Sequence, residues 1–155
     1  MHFETDEVYH VYNRGNNKQP IFFKEENYLF FLKKVRNEWL KYCSILNYCL
    51  MPNHFHFMLI PDIKACVEVA MANRVTNMQQ LSQTIGKTLS SYTKAINNQN
   101  KTTGNLFQQK TKAKCLTNNP ILKNSFSNTD YIATCFQYVH QNPLKAGLVN
   151  DLAEW

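Results

Sequence analysis

Two histidines one residue apart, His54 and His56, are the side chains of this sequence best suited to chemistry. They lie in the run Met51-Pro52-Asn53-His54-Phe55-His56-Phe57-Met58-Leu59-Ile60. On a strand alternate residues share a face, so both imidazoles point one way while Phe55, Phe57 and Leu59 point the other way, into a core. The strand rise sets the two rings about 7 Å apart, within reach of one shared ion. Imidazole is a common ligand of divalent transition metals. A bare His-x-His is also frequent on half-exposed strands, so the pair gains meaning only when other polar groups join it.

A second group of residues can supply them. Over Asp130–Gln141, Ile132, Cys135, Phe136 and Val139 recur at i, i+3, i+4 and i+7, the core stripe of a helix. Tyr138 and Asn142 sit one turn apart at the edge of that stripe. A tyrosine there can lay its ring on apolar neighbours while its hydroxyl reaches a polar site, and Asn142 can offer a neutral amide oxygen to a cation. Tyr131 shares nearly the same face, but its i+4 neighbour is Cys135, not an amide, so it ranks below Tyr138. His140 faces away, and His10 reads as structural. Asn142-Pro143 is expected to end the helix, because the residue before a proline is pushed out of the helical region.

The elements that must position these groups follow from the apolar pattern. Val8–Arg14 reads as a first strand, ending at the turn cluster Gly15-Asn16-Asn17. Glu25–Tyr42 carries Tyr28, Phe31, Leu32, Val35, Trp39 and Tyr42 at helical spacing. Ser44–Leu50 and His54–Ile60 flank Met51-Pro52-Asn53 as a hairpin, and 61–75 reads as a loop or short helix. Asn77–Ile96 is a second long helix, followed by a polar connection over Asn97–Asn105. A last strand over Phe107–Leu116 would project Lys110, Lys112 and Lys114 from one face as candidate contacts to a phosphate backbone. This order predicts an α+β sandwich of the ferredoxin-like or RNA-recognition-like kind, an antiparallel central sheet with helices packed on it.

Composition agrees and narrows the class. The 155 residues, 44% hydrophobic with 4 Gly and 5 Pro, suit one folded domain over 1–155 rather than a disordered or repetitive chain. A net charge of +6 favours an anionic partner, and with three arginines among 17 basic residues the contacts would be mostly to backbone. No apolar run has membrane-spanning length and the N-terminus lacks the features of a signal peptide, so the expectation is a cytoplasmic protein without a membrane partner. Five scattered cysteines with no C-x-x-C pair indicate reduced thiols.

The motifs together resemble one family. His54-Phe55-His56 after Met51-Pro52-Asn53 resembles the HUH motif, and Tyr138 through Val149 resembles its Tyr-x-x-x-Asn-Pro-x-x-Ala-Gly-Leu-Val block. With Tyr9-His10-Val11-Tyr12-Asn13-Arg14-Gly15, Ile21-Phe22 and Gly104-Asn105-Leu106-Phe107-Gln108, the chain is similar to the single-tyrosine transposases of insertion sequences, in particular the REP-associated tyrosine transposase (RAYT) branch of bacteria. The resemblance implies a metal-dependent enzyme that nicks and rejoins single-stranded DNA with hairpin or repeat ends through a covalent 5′-phosphotyrosine. Tyr138 would be the nucleophile, and His54, His56 and Asn142 would hold Mg²⁺ or Mn²⁺. Arg14, Lys110, Lys112 and Lys114 would contact DNA, and a homodimer is compatible with the family. The group's chains usually carry a tail beyond the segment matching Asp151–Trp155. Two other readings also suit the residues: a non-catalytic RNA-recognition-like module that binds nucleic acid, and a metal-dependent phosphodiesterase that uses water as nucleophile.

Overall fold

The strand bearing the histidines sits inside a four-stranded sheet. A computed structural model describes residues 1–70, 77–117 and 128–154. Its elements are β1 (Tyr9–Arg14), α1 (Glu25–Glu38), β2 (Cys43–Met51), β3 (His54–Pro61), β4 (Glu68–Val69), β5 (Met78–Gln79), α2 (Gln80–Asn100), β6 (Lys112–Cys115) and α3 (Asn128–Lys145). The sheet order is β2-β3-β1-β6, antiparallel throughout, while β4 and β5 form a separate two-stranded ribbon. This is the expected ferredoxin-like α+β arrangement, with a third helix added. Among the described residues no helix is long and apolar enough to cross a membrane.

The two faces of the sheet bury different material. On one face Phe55, Phe57 and Leu59 of β3 meet Phe31 and Val35 of α1, and Leu81, Ile85 and Tyr92 of α2, all buried in one aromatic core. Trp39 closes that core and donates from its indole nitrogen to Thr88 Oγ1 (3.1 Å), while Tyr92 donates to Ile21 O (2.8 Å), so both buried polar tips are satisfied. On the other face α3 lays Cys135 and Val139 over Val8, Cys49, Met51, Met58 and Leu116.

Several expectations are corrected. The first helix ends at Glu38, and Trp39–Lys41 turns as a 3₁₀ segment. The second starts at Gln80 and runs on to Asn100, into the region read as a connection. The segment 61–75 holds a 3₁₀ turn at Ile63–Cys66 and β4, and 71–76 falls outside the described residues. The last strand spans Lys112–Cys115 rather than Phe107–Leu116: an isolated bridge of Gly15 with Phe107 and a Gln108 N–Arg14 O bond (2.9 Å) precede it, and between the two Asn13 Nδ2 donates to Gln108 O (3.1 Å) and Thr111 Oγ1 (2.9 Å), so the pairing is interrupted there.

The third helix does not stop at Asn142. It continues to Lys145 with Pro143 inside it. Pro143 has no N–H for the carbonyl of Val139, and Asn142 Nδ2 makes a long contact with that same oxygen (3.5 Å). The end comes one turn later. Leu148 N bonds Pro143 O and Gly147 N bonds Leu144 O, each at 3.0 Å, with Gly147 at φ 66°; this is a Schellman cap that needs glycine at the left-handed position. Phe136 is not in the core stripe but 44% exposed, because α3 touches the sheet along a narrow strip centred on Cys135 and Val139.

The hairpin turn before His54 is clamped by the segment after β1. Gly15 N donates to Asn53 O (2.7 Å), and Ile21 N and Phe22 N both donate to Pro52 O (2.7 and 3.1 Å). A Cβ on Gly15 would lie 2.0 Å from the backbone oxygen of Gln19. Gly15→Ala should therefore destabilise the fold by about 1–3 kcal/mol, as overpacking against rigid backbone does; a denaturant midpoint equal to that of the unmodified protein would contradict this account of the clamp.

Candidate active site

The cleft that brings most of the predicted residues together is roofed by α3 and floored by the face of the sheet opposite the aromatic core. It encloses about 270 Å³. Tyr12, Asn13 and Arg14 enter it from β1, His54 and His56 from β3, and Tyr138 from α3. Gln108, Lys110 and Lys112 complete its wall. Larger hollows lie between α1 and α2 and beside β2, and neither holds His54, His56 or Tyr138.

Pairing register sets the floor. Arg14 lies opposite His54, and Tyr12 opposite His56. The next strand brings Lys112 opposite Tyr12. The Tyr138 ring stands edge-on to the His56 ring with centroids 5.8 Å apart, and Lys145 Nζ lies 5.8 Å from the Tyr138 ring centre. Tyrosine and histidines thus meet within one chain.

Each histidine has one nitrogen engaged. His54 Nδ1 is 2.6 Å from Asn53 Oδ1, a pure acceptor, so that nitrogen carries the proton and donates. The lone pair of His54 is then on Nε2. His56 Nδ1 is 2.8 Å from His10 Nε2, and His56 Nε2 is buried with no partner. Among the described residues, only one other buried side-chain nitrogen or oxygen lacks a partner, Arg14 Nε, and Arg14 lines the same cleft. Buried polar atoms are nearly always paired, so two unpaired ones in a single cleft point to a ligand-binding site. An imidazole lone pair suits a cation, and a guanidinium N–H suits a phosphate oxygen.

The residues fit a divalent ion in part. His56 Nε2 is an unpaired buried donor of the right kind, with His54 beside it at a ring separation of 5.0 Å. No group of three or more His, Cys, Asp or Glu side chains is placed to hold a metal among the described residues, so a further ligand would have to be neutral. Asn142 is buried one turn beyond Tyr138 and is not among the residues lining the cleft.

The lysines divide. Lys110 and Lys112 are exposed and line the cleft, although Lys110 precedes β6 rather than belonging to it. Lys114 does not line it. Its ammonium donates to the Tyr131 hydroxyl and lies over the Tyr131 ring, so the two side chains partner each other outside the cleft lining. His10, Tyr12, Asn13 and Gln108 are site residues that the sequence reading did not assign. His10 and Tyr12 join through strand register, which a single sequence states only through their period-two sharing of a face with Arg14, while Asn13 and Gln108 meet through their own hydrogen bond.

No protein-family model matches this chain, and no curated protein does. Seven chains of solved structures match it in fold. One is a REP-associated tyrosine transposase solved bound to a REP hairpin, which superposes with a TM-score of 0.68 at 14% identity, covering all of this chain and 77% of that one. The likeness is one of fold. In that transposase-like fold the present chain carries its own His54-x-His56 pair and Tyr138 in one cleft.

The cleft histidines are held neutral. Burial, with His10 and His54 as nearby basic groups, pushes His56 down to about 3. Burial and the Lys114 ammonium lower His10 to about 4, and burial with Arg14 lowers His54. An unfolded histidine titrates near 6.5, so below that pH the unfolded chain takes up protons that the native state refuses. Native stability should be at its plateau above about pH 6.5 and fall as pH drops from there toward 5. Denaturant midpoints that stay level across this window would refute the buried neutral histidines.

Proposed function

We propose that this protein is a transposase-type enzyme that nicks and rejoins single-stranded DNA at hairpin or repeat ends, with Tyr138 as nucleophile and a divalent ion held by His54 and His56. The observation that carries the reading is the meeting of a half-exposed tyrosine with the two unpaired buried nitrogens, His56 Nε2 and Arg14 Nε, in one cleft walled by lysines. The transposase of similar fold, solved on a DNA hairpin, supports the same direction.

Each side chain has a distinct task in this proposal. Tyr138 Oη attacks the phosphorus, the P–O3′ bond breaks, and the proton given up by the phenol balances the one gained by the leaving 3′-oxygen. The product is a 5′-phosphotyrosine and a free 3′-hydroxyl. Attack by a 3′-hydroxyl on that linkage reverses the step and rejoins DNA without ATP, because the phosphodiester energy is kept in the covalent bond. Arg14 holds a non-bridging oxygen through its unpaired Nε–H, a charge-assisted bond suited to an oxyanion. Lys110 and Lys112 attract the backbone at the mouth, and Lys145, whose ammonium lies 5.8 Å from the Tyr138 ring centre, adds positive charge there.

His54 and His56 present neutral nitrogens, and Asn142, whose amide lies at Val139 O outside the cleft lining, would have to turn toward them to serve as the proposed neutral third ligand through its amide oxygen. A Mg²⁺ or Mn²⁺ ion so held would keep its full charge and polarise the scissile phosphate. A metal-dependent hydrolase using water would share the histidines. It would leave the ring contact between Tyr138 and His56 without a purpose.

Incubation with a single-stranded oligonucleotide bearing a hairpin, in Mn²⁺, followed by denaturing electrophoresis should give a covalent protein–DNA band. Tyr138→Phe should abolish it, and His56→Ala should lower Mn²⁺-dependent cleavage at least 100-fold. An undiminished band from Tyr138→Phe would refute the nucleophile, and cleavage without any shifted band would favour the hydrolase. For binding, Lys110→Ala with Lys112→Ala should flatten the dependence of log K on log salt by about 0.7 per lost contact, whereas Lys114→Ala should leave the slope unchanged. Equal slopes for all three would return the cleft lysines to ordinary surface residues.

A further inference from the structure

We propose that His10 is a positioning residue, whose Nε2 accepts a hydrogen bond from His56 Nδ1–H and so fixes His56 in the tautomer with its Nε2 lone pair facing the cleft. The inference deepens the reading of His56 as a metal ligand and rests on it for its purpose, although not for its geometry.

The two imidazoles meet because of strand register. His10 lies opposite Met58 and Tyr12 opposite His56, which makes His10 and His56 diagonal neighbours on one face, within reach of long side chains. Their rings stack with centroids 5.0 Å apart and an interplanar angle of 22°, and His10 stacks on Tyr12 as well, at 4.8 Å. The contact between His10 Nε2 and His56 Nδ1 is 2.8 Å, and both residues are buried.

Two neutral imidazoles can share that bond in either sense. If His10 donated, His56 would carry its own proton on Nε2, leaving a buried N–H with no acceptor. Stranded buried N–H groups are rarer and costlier than under-used acceptors. If His56 donates, its Nε2 is a bare lone pair, and the remaining proton of His10 sits on Nδ1. That atom is not one of the two buried side-chain atoms left without a partner among the described residues. The second sense is therefore favoured, and it matches His54, whose Nδ1 donates to Asn53 Oδ1. Ligating histidines are commonly oriented by an acceptor on the other ring nitrogen, and losing that acceptor typically weakens metal binding about 10- to 100-fold.

Long-range ¹H–¹⁵N correlation spectra of the imidazoles in the metal-free full chain near pH 8 read the tautomer directly. His56 is expected to be protonated on Nδ1, and protonation on Nε2 would overturn the proposal. His10→Leu removes the acceptor, and titration with Mn²⁺ should then give an affinity about 10- to 100-fold weaker. His10→Gln retains an acceptor where Nε2 stood and should restore most of that loss. A role in packing alone would leave His10→Leu, checked for a native amide spectrum, with the tautomer and Mn²⁺ affinity of the unmodified chain, and would refute the inference. The tautomer is read without metal, so failure of the unmodified protein to bind Mn²⁺ would remove the ligand assignment while an Nδ1–H signal on His56 would still uphold the role of His10.

Discussion

The two-residue alternation of β3 constrains everything at the cleft. Phe55, Phe57 and Leu59 are fully buried against α1 and α2, while His54, His56 and Met58 face α3. A slip of one residue would exchange these sets, sending phenyl rings into a polar cleft and imidazoles into an aromatic core. The strand is held against such a slip by ladders on both sides, with β1 and with β2. At its start the backbone of Pro52 and Asn53 is gripped by three hydrogen bonds from the segment after β1. The aromatic side supplies the apolar burial that keeps the strand in place, and the histidine side inherits that rigidity.

A second consequence concerns charge. The cleft gathers Arg14, Lys110 and Lys112 around histidines that burial keeps unprotonated. Protonated imidazoles there would have no lone pairs to offer a cation. Neutral ones leave the positive field to the arginine and lysines, which can meet an anion, while the ring nitrogens meet a metal. Burial thus separates two roles that would compete at an exposed site.

Much of this was legible in the sequence, and the parts that were not share a cause. The paired histidines follow from strand period, Tyr138 from its place beside a helical stripe, and the sheet from the order of elements. His10 escaped because its importance comes from a partner 46 residues away, reached only through strand register. Lys110 lies outside the strand although alternation of charge resembles a ladder, because the pairing breaks between the Gly15–Phe107 bridge and β6, where Asn13 bonds Gln108 O and Thr111 through its side chain. Pro143 reads locally as a helix stop. A neighbouring amide meets the carbonyl that the proline leaves open, and the actual stop is written one to four residues later in Leu144 through Gly147. Phe136 fits the apolar repeat, but repeats do not say how wide a strip of sheet a helix will cover.

That narrow strip under α3 bears on motion. The cluster beneath α3 is smaller and holds the flexible side chains of Met51 and Met58 beside Val8, Cys49, Leu116, Cys135 and Val139, whereas α1 and α2 are packed on interleaved rings. Free energies of local opening track such differences in buried apolar contact, so the layer carrying Tyr138 is expected to open at a lower free energy than β3. Exchange of backbone amides would then run at two rates across one active site. The tyrosine is mounted on the layer with the smaller apolar support, and the histidines on the strand with the larger.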